Sequence, residues 1–578
     1  MHRRSRASGC PCLALRLGLL LLSCTARHSL AATDVTTGLL DVSLGQFTEV
    51  FLNRTIPTEA VLQNIGGNVS FIIFELHTQF RNATVSLNKI SNATDSSSGD
   101  DTGLLSILRP EQTVCTWYLH SDDVNHLLAL TVTIPYTEND PVPGGCNLEF
   151  NLDIDPNLYL EYNIYETVVK FAPANLGSPR GSSPPLCDDG SGLDSRWRLQ
   201  YDVYQYFLPE NDLQEASMLS HIQKMSMVQP VKENGLKLVT LTSNDKTIVS
   251  FSSIPGQGVI YNVVVRDPTR NTSAAYIPVH TYACTFNATI DNCYTLGRVS
   301  SKIFFTLCAI AGLFICFFGH RFLKTEFFFM GFIIAGFLFF VLISRVTRLD
   351  YDARLLLTAV AGFAGGILLV AYWWRCGCVV MCMLIVGLVL GFLISSIIFF
   401  TPLGDYNTFR NDSVFWVTFS CIAVLVPVLL LPCPRVLNIL TCVIIGSYVV
   451  ILAIDSYLYT SLTYITLNIL KRALNSDFSR AYTNVPFQKN DFIIITVWMI
   501  LIVSGALTQY HREKKRHPFP PHPYQVWKRD RERRKTNILD PSHHIPPLKE
   551  RLRGHLNRFR DLFRRKQPVG ERTPLLYD

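Results

Sequence analysis

From Ile303 to Tyr510 the chain is built of long apolar runs separated by short polar breaks, at residues 303–319, 327–344, 355–374, 376–400, 414–432, 436–456 and 492–510. Each run approaches the roughly 20 residues that a helix needs to cross ~30 Å of hydrocarbon. The pattern therefore predicts a bundle of seven transmembrane helices over 301–510. Most breaks are brief, such as Arg375 with Cys376-Gly-Cys378, and Pro432-Cys-Pro-Arg435. One is long and polar. Ser456 to Asp491 carries Leu467, Leu470 and Leu474 at helical spacing, which predicts an ordered external loop with an interfacial helix.

Ahead of the spans the pattern changes period. Val69-Ser-Phe-Ile-Ile-Phe-Glu-Leu76, Leu128-Ala-Leu-Thr-Val-Thr-Ile134, Leu236-Lys-Leu-Val-Thr-Leu-Thr242 and Gly258-Val-Ile-Tyr-Asn-Val-Val-Val265 are short, β-branched and partly alternating. Turn clusters punctuate them, as at Asp140-Pro-Val-Pro-Gly-Gly145 and Ile254-Pro-Gly-Gln-Gly258. This predicts an all-β ectodomain of sandwich-like modules. The Gly, Ser, Pro and Asp of Leu176–Asp194 read as a linker. The expected division is a first module over 33–175, a linker over 176–195 and a second module over 196–300. Residues 1–32 read as a signal peptide: Arg3, Arg4 and Arg6 precede a short apolar core at Leu17–Cys24, and Ala31-Ala32 suits cleavage.

Composition sharpens this picture in one place. The 578 residues carry a net charge of +7 and a mean hydropathy of +0.22. Residues 511–578 hold 19 Lys/Arg against 8 Asp/Glu, so this tail is +11 and the rest of the chain −4. A basic tail behind a run of spans suits an anionic membrane face rather than nucleic acid, and it places the C-terminus in the cytoplasm and the N-terminus outside. Six N-x-S/T sequons fall in the region read as lumenal, at Asn53, Asn68, Asn82, Asn92, Asn271 and Asn287, with a seventh at Asn411 in a loop read as lumenal. The same region keeps five cysteines. Cys284–Cys293 closes a short loop before the membrane, Cys115–Cys146 staples the first module, and Cys187 is left over.

Candidate chemistry is sparse. Tyr372-Trp-Trp-Arg375 stands where a rhodopsin-like receptor carries its acidic-Arg-Tyr motif, and the seventh run has no Asn-Pro-x-x-Tyr. The run interiors hold no Asp, Glu, Lys or Arg, with Asp455 near one end, so ion-coupled transport is not expected. No paired Asp, Ser with His, or His-Glu-x-x-His lies in the spans, and Asp194-Ser-Arg-Trp197 forms no recognisable triad. No catalytic residue, cofactor site or metal site is expected; Asp153-Ile-Asp155-Pro-Asn157 reads as an Asx turn in preference to a Ca²⁺ loop. Cys376, Cys378 and Cys382 lie where juxtamembrane thiols are palmitoylated. Leu548, Leu552, Leu556, Phe559 and Phe563 recur at helical spacing among arginines, a basic amphipathic helix suited to anionic inner-leaflet lipids. Glu571-Arg-Thr-Pro-Leu575-Leu576 fits the acidic dileucine form that clathrin adaptors read in an extended peptide; Pro574 disfavours helix before it.

Gly319-His-Arg-Phe-Leu-Lys324, the Gly-rich third run and Leu388-Val-Leu-Gly-Phe-Leu393 resemble the seven-span domain of the transmembrane protein 198 type. Leu108–Gln112, Asp140–Phe150, Arg196–Phe207 and Glu571–Leu576 extend the resemblance over nearly the whole chain, to the transmembrane 7 superfamily member 3 family. The resemblance implies a plasma-membrane or secretory-pathway protein that dampens endoplasmic-reticulum stress and supports cell survival. It implies no enzymatic activity, and a role as scaffold or adaptor. An orphan receptor that binds a ligand through its β-rich ectodomain is the alternative.

Overall fold

The computed structural model describes residues 38–514, 519, 523–536 and 553–554, apart from Ser91, Asp123, Asn125, Ile164, 189–194, 287–291, Arg348 and Ser476. The expected signal peptide, Asn287, nearly all of the expected tail helix and the candidate dileucine motif lie outside the described residues. By packing, the chain divides into two units: residues 1–312, 392–423 and 447–500, and residues 313–391, 424–446 and 501–578.

The first unit holds the β-ectodomain. Its N-terminal module has strands β1 (Leu39–Val42), β2 (Phe47–Leu52), β3 (Thr58–Leu62), β4 (Phe71–His77), β5 (Ala83–Ser86), β6 (Ser96–Gly99), β7 (Asp101–Ile107), β8 (Cys115–Ser121) and β9 (Leu127–Tyr136). They form two sheets, ordered β1-β3-β8-β5-β6 and β2-β9-β4-β7. Between the sheets lie Ile72, Phe74, Leu76, Leu104, Trp117 and Ala129. The second module has β10 (Leu158–Tyr162), β11 (Glu166–Phe171), β12 (Gln200–Phe207), β13 (Leu236–Thr242), β14 (Ile248–Ser252), β15 (Val259–Asp267), β16 (Thr272–Ala275) and β17 (Val279–Thr281). Helices α1 (Glu215–Ile222) and α2 (Val228–Asn234) separate β12 from β13. The sheets run β10-β11-β14 and β13-β12-β15-β16, with β17 also on β15.

The expected module boundary is corrected here. β10 and β11 precede the 176–195 segment, yet β11 pairs with β14 beyond it, Val169 opposite Val249. The Gly/Pro-rich segment is a connection inside the second module, and the division falls after Tyr136. The modules also share a core. On β4, Phe71 and Ile73 pack with Tyr201, Phe251, Tyr261 and Tyr276, while Ile72, Phe74 and Leu76 point into the first module. A strand buried on both faces needs a continuous apolar run, and that is why Phe71–Leu76 does not alternate.

Cysteine pairing is corrected as well. Cys146 joins Cys187, with Cα atoms 5.7 Å apart, and Cys284 joins Cys293. Cys115 is a free, buried thiol on β8, packed in the first module's own core. Cys146 belongs instead to the start of the second module, where the Val142–Asn175 bridge returns the chain toward it and brings Cys187 within reach.

Among the described residues, seven helices are long and apolar enough to cross a membrane: α3 (Val299–Phe318, continued by a 3-10 turn to Arg321), α4 (Leu323–Val346), α5 (Tyr351–Cys376), α6 (Val379–Phe400), α7 (Asp412–Leu430), α8 (Pro434–Leu458) and α10 (Lys489–Glu513). Between the last two lies α9 (Tyr464–Leu474), and α11 (Pro523–Thr536) follows the bundle. Gly377, at φ +62°, stops α5 in the left-handed conformation, its N–H bonded to Trp373 O. In the second unit α4 and α5 meet through glycines. A Cβ at Gly331 would lie 2.9 Å from Gly365 O, and one at Gly366 would lie 2.6 Å from Phe328 O. Gly387 on α6 likewise leaves room for Pro427 of α7, whose Cβ would otherwise be met at 2.6 Å.

Candidate functional site

Two polar constructions in the first unit stand out from its apolar packing. One lies on the seam between the β-modules. Glu75 and His77 continue the face of β4 that carries Phe71 and Ile73, so the second module buries them. Asp101 starts β7 directly opposite His77. His77 Nδ1 lies 2.7 Å from Asp101 Oδ1 and its Nε2 lies 3.2 Å from Glu75 Oε2. From β17, His280 donates its backbone N–H and Nδ1–H to Asp101 Oδ2, each at 2.6 Å, and Nε2–H to Gln79 O at 2.7 Å.

Both rings thus face acceptors on both nitrogens, the arrangement of an imidazolium. Burial opposes the charge on His77, but the hydrogen bonds to Asp101 and Glu75 outweigh it and hold the ring up to about 9. Burial likewise opposes charge on His280, and the Asp101 charge and hydrogen bond bring it to about 9. Asp101 is held down at about 2: burial pushes it up, and the His280 charge with both histidine hydrogen bonds overcomes that. Burial raises Glu75, whose Oε1 has no hydrogen-bond partner. Gly103 on β7 admits the second module closely, since a Cβ there would lie 2.6 Å from Ile277. Above the network opens a cleft of about 680 Å³, walled by Phe80, Ser97, Tyr159 and Phe286 with Asp101 and His280 on its lining.

The other construction joins the second β-module to the segment between α8 and α10. Tyr482 extends the open edge of β14: its N–H bonds Ser250 O at 2.9 Å, and Ser252 N–H bonds Tyr482 O at 2.8 Å. Beside it Lys471, only 3 % exposed, donates to Ser253 O at 2.7 Å and to Ser252 Oγ at 3.1 Å. Ser252 Oγ lies 3.4 Å from Asn468 Oδ1, and Gln488 ties down Leu208 O at 3.1 Å and Glu210 N–H at 2.7 Å. Among the described residues no carboxylate pairs with Lys471; the rings of Tyr464 and Phe478 flank it, and burial pushes the ammonium down to about 7. Two buried carboxylates organise the same segment. Asp455 accepts from Thr460 N–H and Thr463 N–H, and Asp491 from Ser461 N–H and Gln488 N–H.

The expected interfacial helix is therefore α9, but its buried face is not the leucine stripe. Tyr464, Ile465, Asn468, Ile469 and Lys471 are enclosed, whereas Leu467, Leu470 and Leu474 are only half-buried. A lone lysine in a polar loop reads as solvated, and no sequence spacing marks this one as buried.

Of the glycosylation candidates, Asn68, Asn82, Asn92, Asn271 and Asn411 are exposed and Asn53 is half-buried. Asp155 makes the expected Asx turn, accepting Asn157 N–H at 3.0 Å and the Tyr159 hydroxyl at 2.7 Å. Cys376 and Cys378 are exposed, but Cys382 is enclosed on α6, which removes it from the acylation candidates. The ion-free reading of the spans also needs correction. The second span begins at Leu323 rather than 327, and its first turn takes in Glu326, fully buried. Among the described residues no group of three or more His, Cys, Asp or Glu is arranged to hold a metal ion.

Comparison with known proteins agrees with this architecture. Residues 38–136 match the family model "TM7SF3-like, N-terminal immunoglobulin-like domain", residues 141–287 the corresponding second immunoglobulin-like domain, and residues 305–510 the "TM7S3/TM198-like domain". The chain is 63% identical to human transmembrane 7 superfamily member 3 over 93% of its length and 95% of that protein's. To the rat protein of the same name it is 60% identical over 97% of its length and 100% of that protein's. A solved Bacteroides uniformis beta-glucuronidase overlaps 39% of this chain and 25% of its own at 10% identity, with a TM-score of 0.18, too low to bear on the fold. Two immunoglobulin-like modules, a seven-span domain and identity sustained across both place this chain in the transmembrane 7 superfamily member 3 family.

Proposed function

We propose that this multi-pass membrane protein is a non-enzymatic scaffold, with its β-ectodomain outside and its basic tail in the cytoplasm, that attenuates endoplasmic-reticulum stress and supports cell survival. The observation that carries the reading is the seat of the second β-module on the segment 459–488. Strand extension by Tyr482 and the buried Lys471 hold it as a fixed platform rather than a tethered, freely swinging head. Glycans on Asn53, Asn68, Asn82, Asn92, Asn271 and Asn287 would decorate that platform, and Asn411 a neighbouring loop. The tail would supply the contacts: anionic inner-leaflet lipids for the 545–567 segment and clathrin adaptors for Glu571, Leu575 and Leu576. Acyl chains on Cys376 and Cys378 would add to its hold on the bilayer. Residence would then cycle between the plasma membrane and endosomes or lysosomes.

The inter-module cleft favours a second reading, an orphan receptor whose ligand sits above Asp101 and His280. Deletions in stressed cells separate the two. For a scaffold, survival falls when 511–578 is removed and persists with the cleft mutated at Tyr159 and Phe286. For a receptor, the cleft variant alone abolishes protection. If neither variant, each at wild-type surface level, changes survival under stress, the proposed role is wrong.

A further inference from the structure

The second unit carries a buried polar cluster at the end of the bundle where the basic tail begins. The 3-10 turn Gly319–Arg321 separates α3 from α4 and brings His320 inward. Gln509 of α10 secures this break, donating to Ile315 O at 3.1 Å and Cys316 O at 2.7 Å and accepting His320 N–H at 3.3 Å. From α8, Asn438 reaches into the cluster. Its amide nitrogen donates to Glu326 Oε2 at 3.0 Å and to His320 Nδ1 at 2.8 Å. The opposite amide orientation would set two acceptor oxygens against each other, so the contact to the carboxylate fixes which atom points where.

Both hydrogens of that nitrogen are thereby used, and two acceptors remain. Glu326 Oε1 and Asn438 Oδ1 have no hydrogen-bond partner, and both residues are 0 % exposed. The Cys442 thiol lies beside the carboxylate, a weak donor that leaves Oε1 without a bond. The first turn of α4 favours a negative charge there through its free N–H groups. It does not reach the two orphaned oxygens, and a buried acceptor left empty costs about 1–3 kcal/mol. Among the described residues no cation pairs with Glu326. Arg435 and Glu513, the charged neighbours from α8 and α10, act on His320 instead, and Arg435 Nε and Nη2 are themselves unpaired. An ionisable side chain enclosed at the end of a span with vacant acceptors is the arrangement of an ion site.

We propose that Glu326 Oε1 and Asn438 Oδ1, with His320 behind them, bind a monovalent cation at this end of the bundle. The shared chemistry is a single positive charge received by a carboxylate and an amide oxygen; a proton or an alkali ion supplies it. The site gives the seven-span domain a capacity for ion binding that the scaffold reading does not require.

The test uses the full-length protein in detergent micelles and reads its unfolding midpoint. In one series NaCl or KCl replaces choline chloride at constant ionic strength; in the other the pH runs from 8 to 5 in choline alone. An alkali-ion site raises the midpoint by about 3–5 °C in the first series; a proton site adds a rise of that size only in the second, read as the difference between wild type and Glu326→Gln. Glu326→Gln removes that response, leaving in the pH series only the rise that the seam histidines supply, and Asn438→Ala raises the half-saturating concentration about tenfold. A wild type with no alkali-ion response and the same pH profile as Glu326→Gln, as a merely hydrated pocket would give, overturns the proposal. So does a Glu326→Gln protein with the wild-type response. If Glu326→Gln does not fold, Asn438→Ala decides: an unchanged half-saturating concentration refutes the site.

Discussion

Asp101→Ala is expected to destabilise the ectodomain by about 3–5 kcal/mol, the cost of leaving buried partners of an ion pair uncompensated. The substitution strips His77 Nδ1 and both the backbone N–H and Nδ1 of His280 of their acceptor, three hydrogen bonds at 2.6–2.7 Å of which the two from His280 cross the module seam. Asp101→Asn, which keeps an acceptor oxygen, should lose less. The measurement is the unfolding midpoint of the purified full-length protein, followed by the fluorescence of Trp117 and its neighbours. Its pH dependence has a defined sign. The histidines are held up to about 9 from an ordinary 6.5, so their contribution is complete below about 6.5 and is lost as the pH rises through about 9. Asp101 is held down at about 2 from 3.8, so its contribution is present above about 3.8 and is lost as the pH falls through about 2. Glu75, raised by burial, adds to the decline toward alkaline pH. The wild type should therefore be firmest in mildly acidic solution, and Asp101→Ala should lose that preference.

The second large effect is at the seat. Lys471→Glu would place a carboxylate against Ser253 O in a site with no cationic partner among the described residues, at a cost of about 3–5 kcal/mol. Limited proteolysis of the full chain should then cut within 459–488 at least tenfold faster. Lys471→Met keeps an apolar stem between Tyr464 and Phe478 and should leave the segment protected. It should also remove a pH term. With its pKa lowered from 10.5 to about 7, the buried lysine has lost a proton that the unfolded chain still holds, so its own contribution grows between about pH 7 and 10.5 and offsets part of the decline from the seam histidines. The methionine variant should lack that offset and decline more steeply than the wild type above about pH 7.

The spans were legible because length and apolar content nearly suffice to define them, and the β-ectodomain because its short strands and turns repeat. What escaped was set by contacts between distant residues. Asp101 and His280 are 179 positions apart, and neither stands in a motif. Cys115 looked like the natural partner of Cys146 by proximity along the chain, while the Val142–Asn175 bridge that selects Cys187 is tertiary. A Gly/Pro-rich stretch suggested a boundary at 176–195, although β11 and β14 on either side of it belong to one sheet. Glu326 was missed by one residue: an apolar run begins at Phe327, whereas the helix begins at Leu323 and carries its polar first turn inward. Lys471 has the composition of a solvated loop and becomes buried only because β14 lies over it.

The central claim, that the second β-module is seated on the segment between the last two spans, is tested most directly by a cysteine pair. Ser252 Oγ and Asn468 Oδ1 lie 3.4 Å apart, so Ser252→Cys with Asn468→Cys should form a disulfide in intact cells without added oxidant. Alkylation followed by mass spectrometry should find the linked 252–468 peptide, with most of both thiols protected, and neither single variant should show it. Free, fully alkylated thiols at both positions in a double variant that reaches the cell surface would contradict the seat.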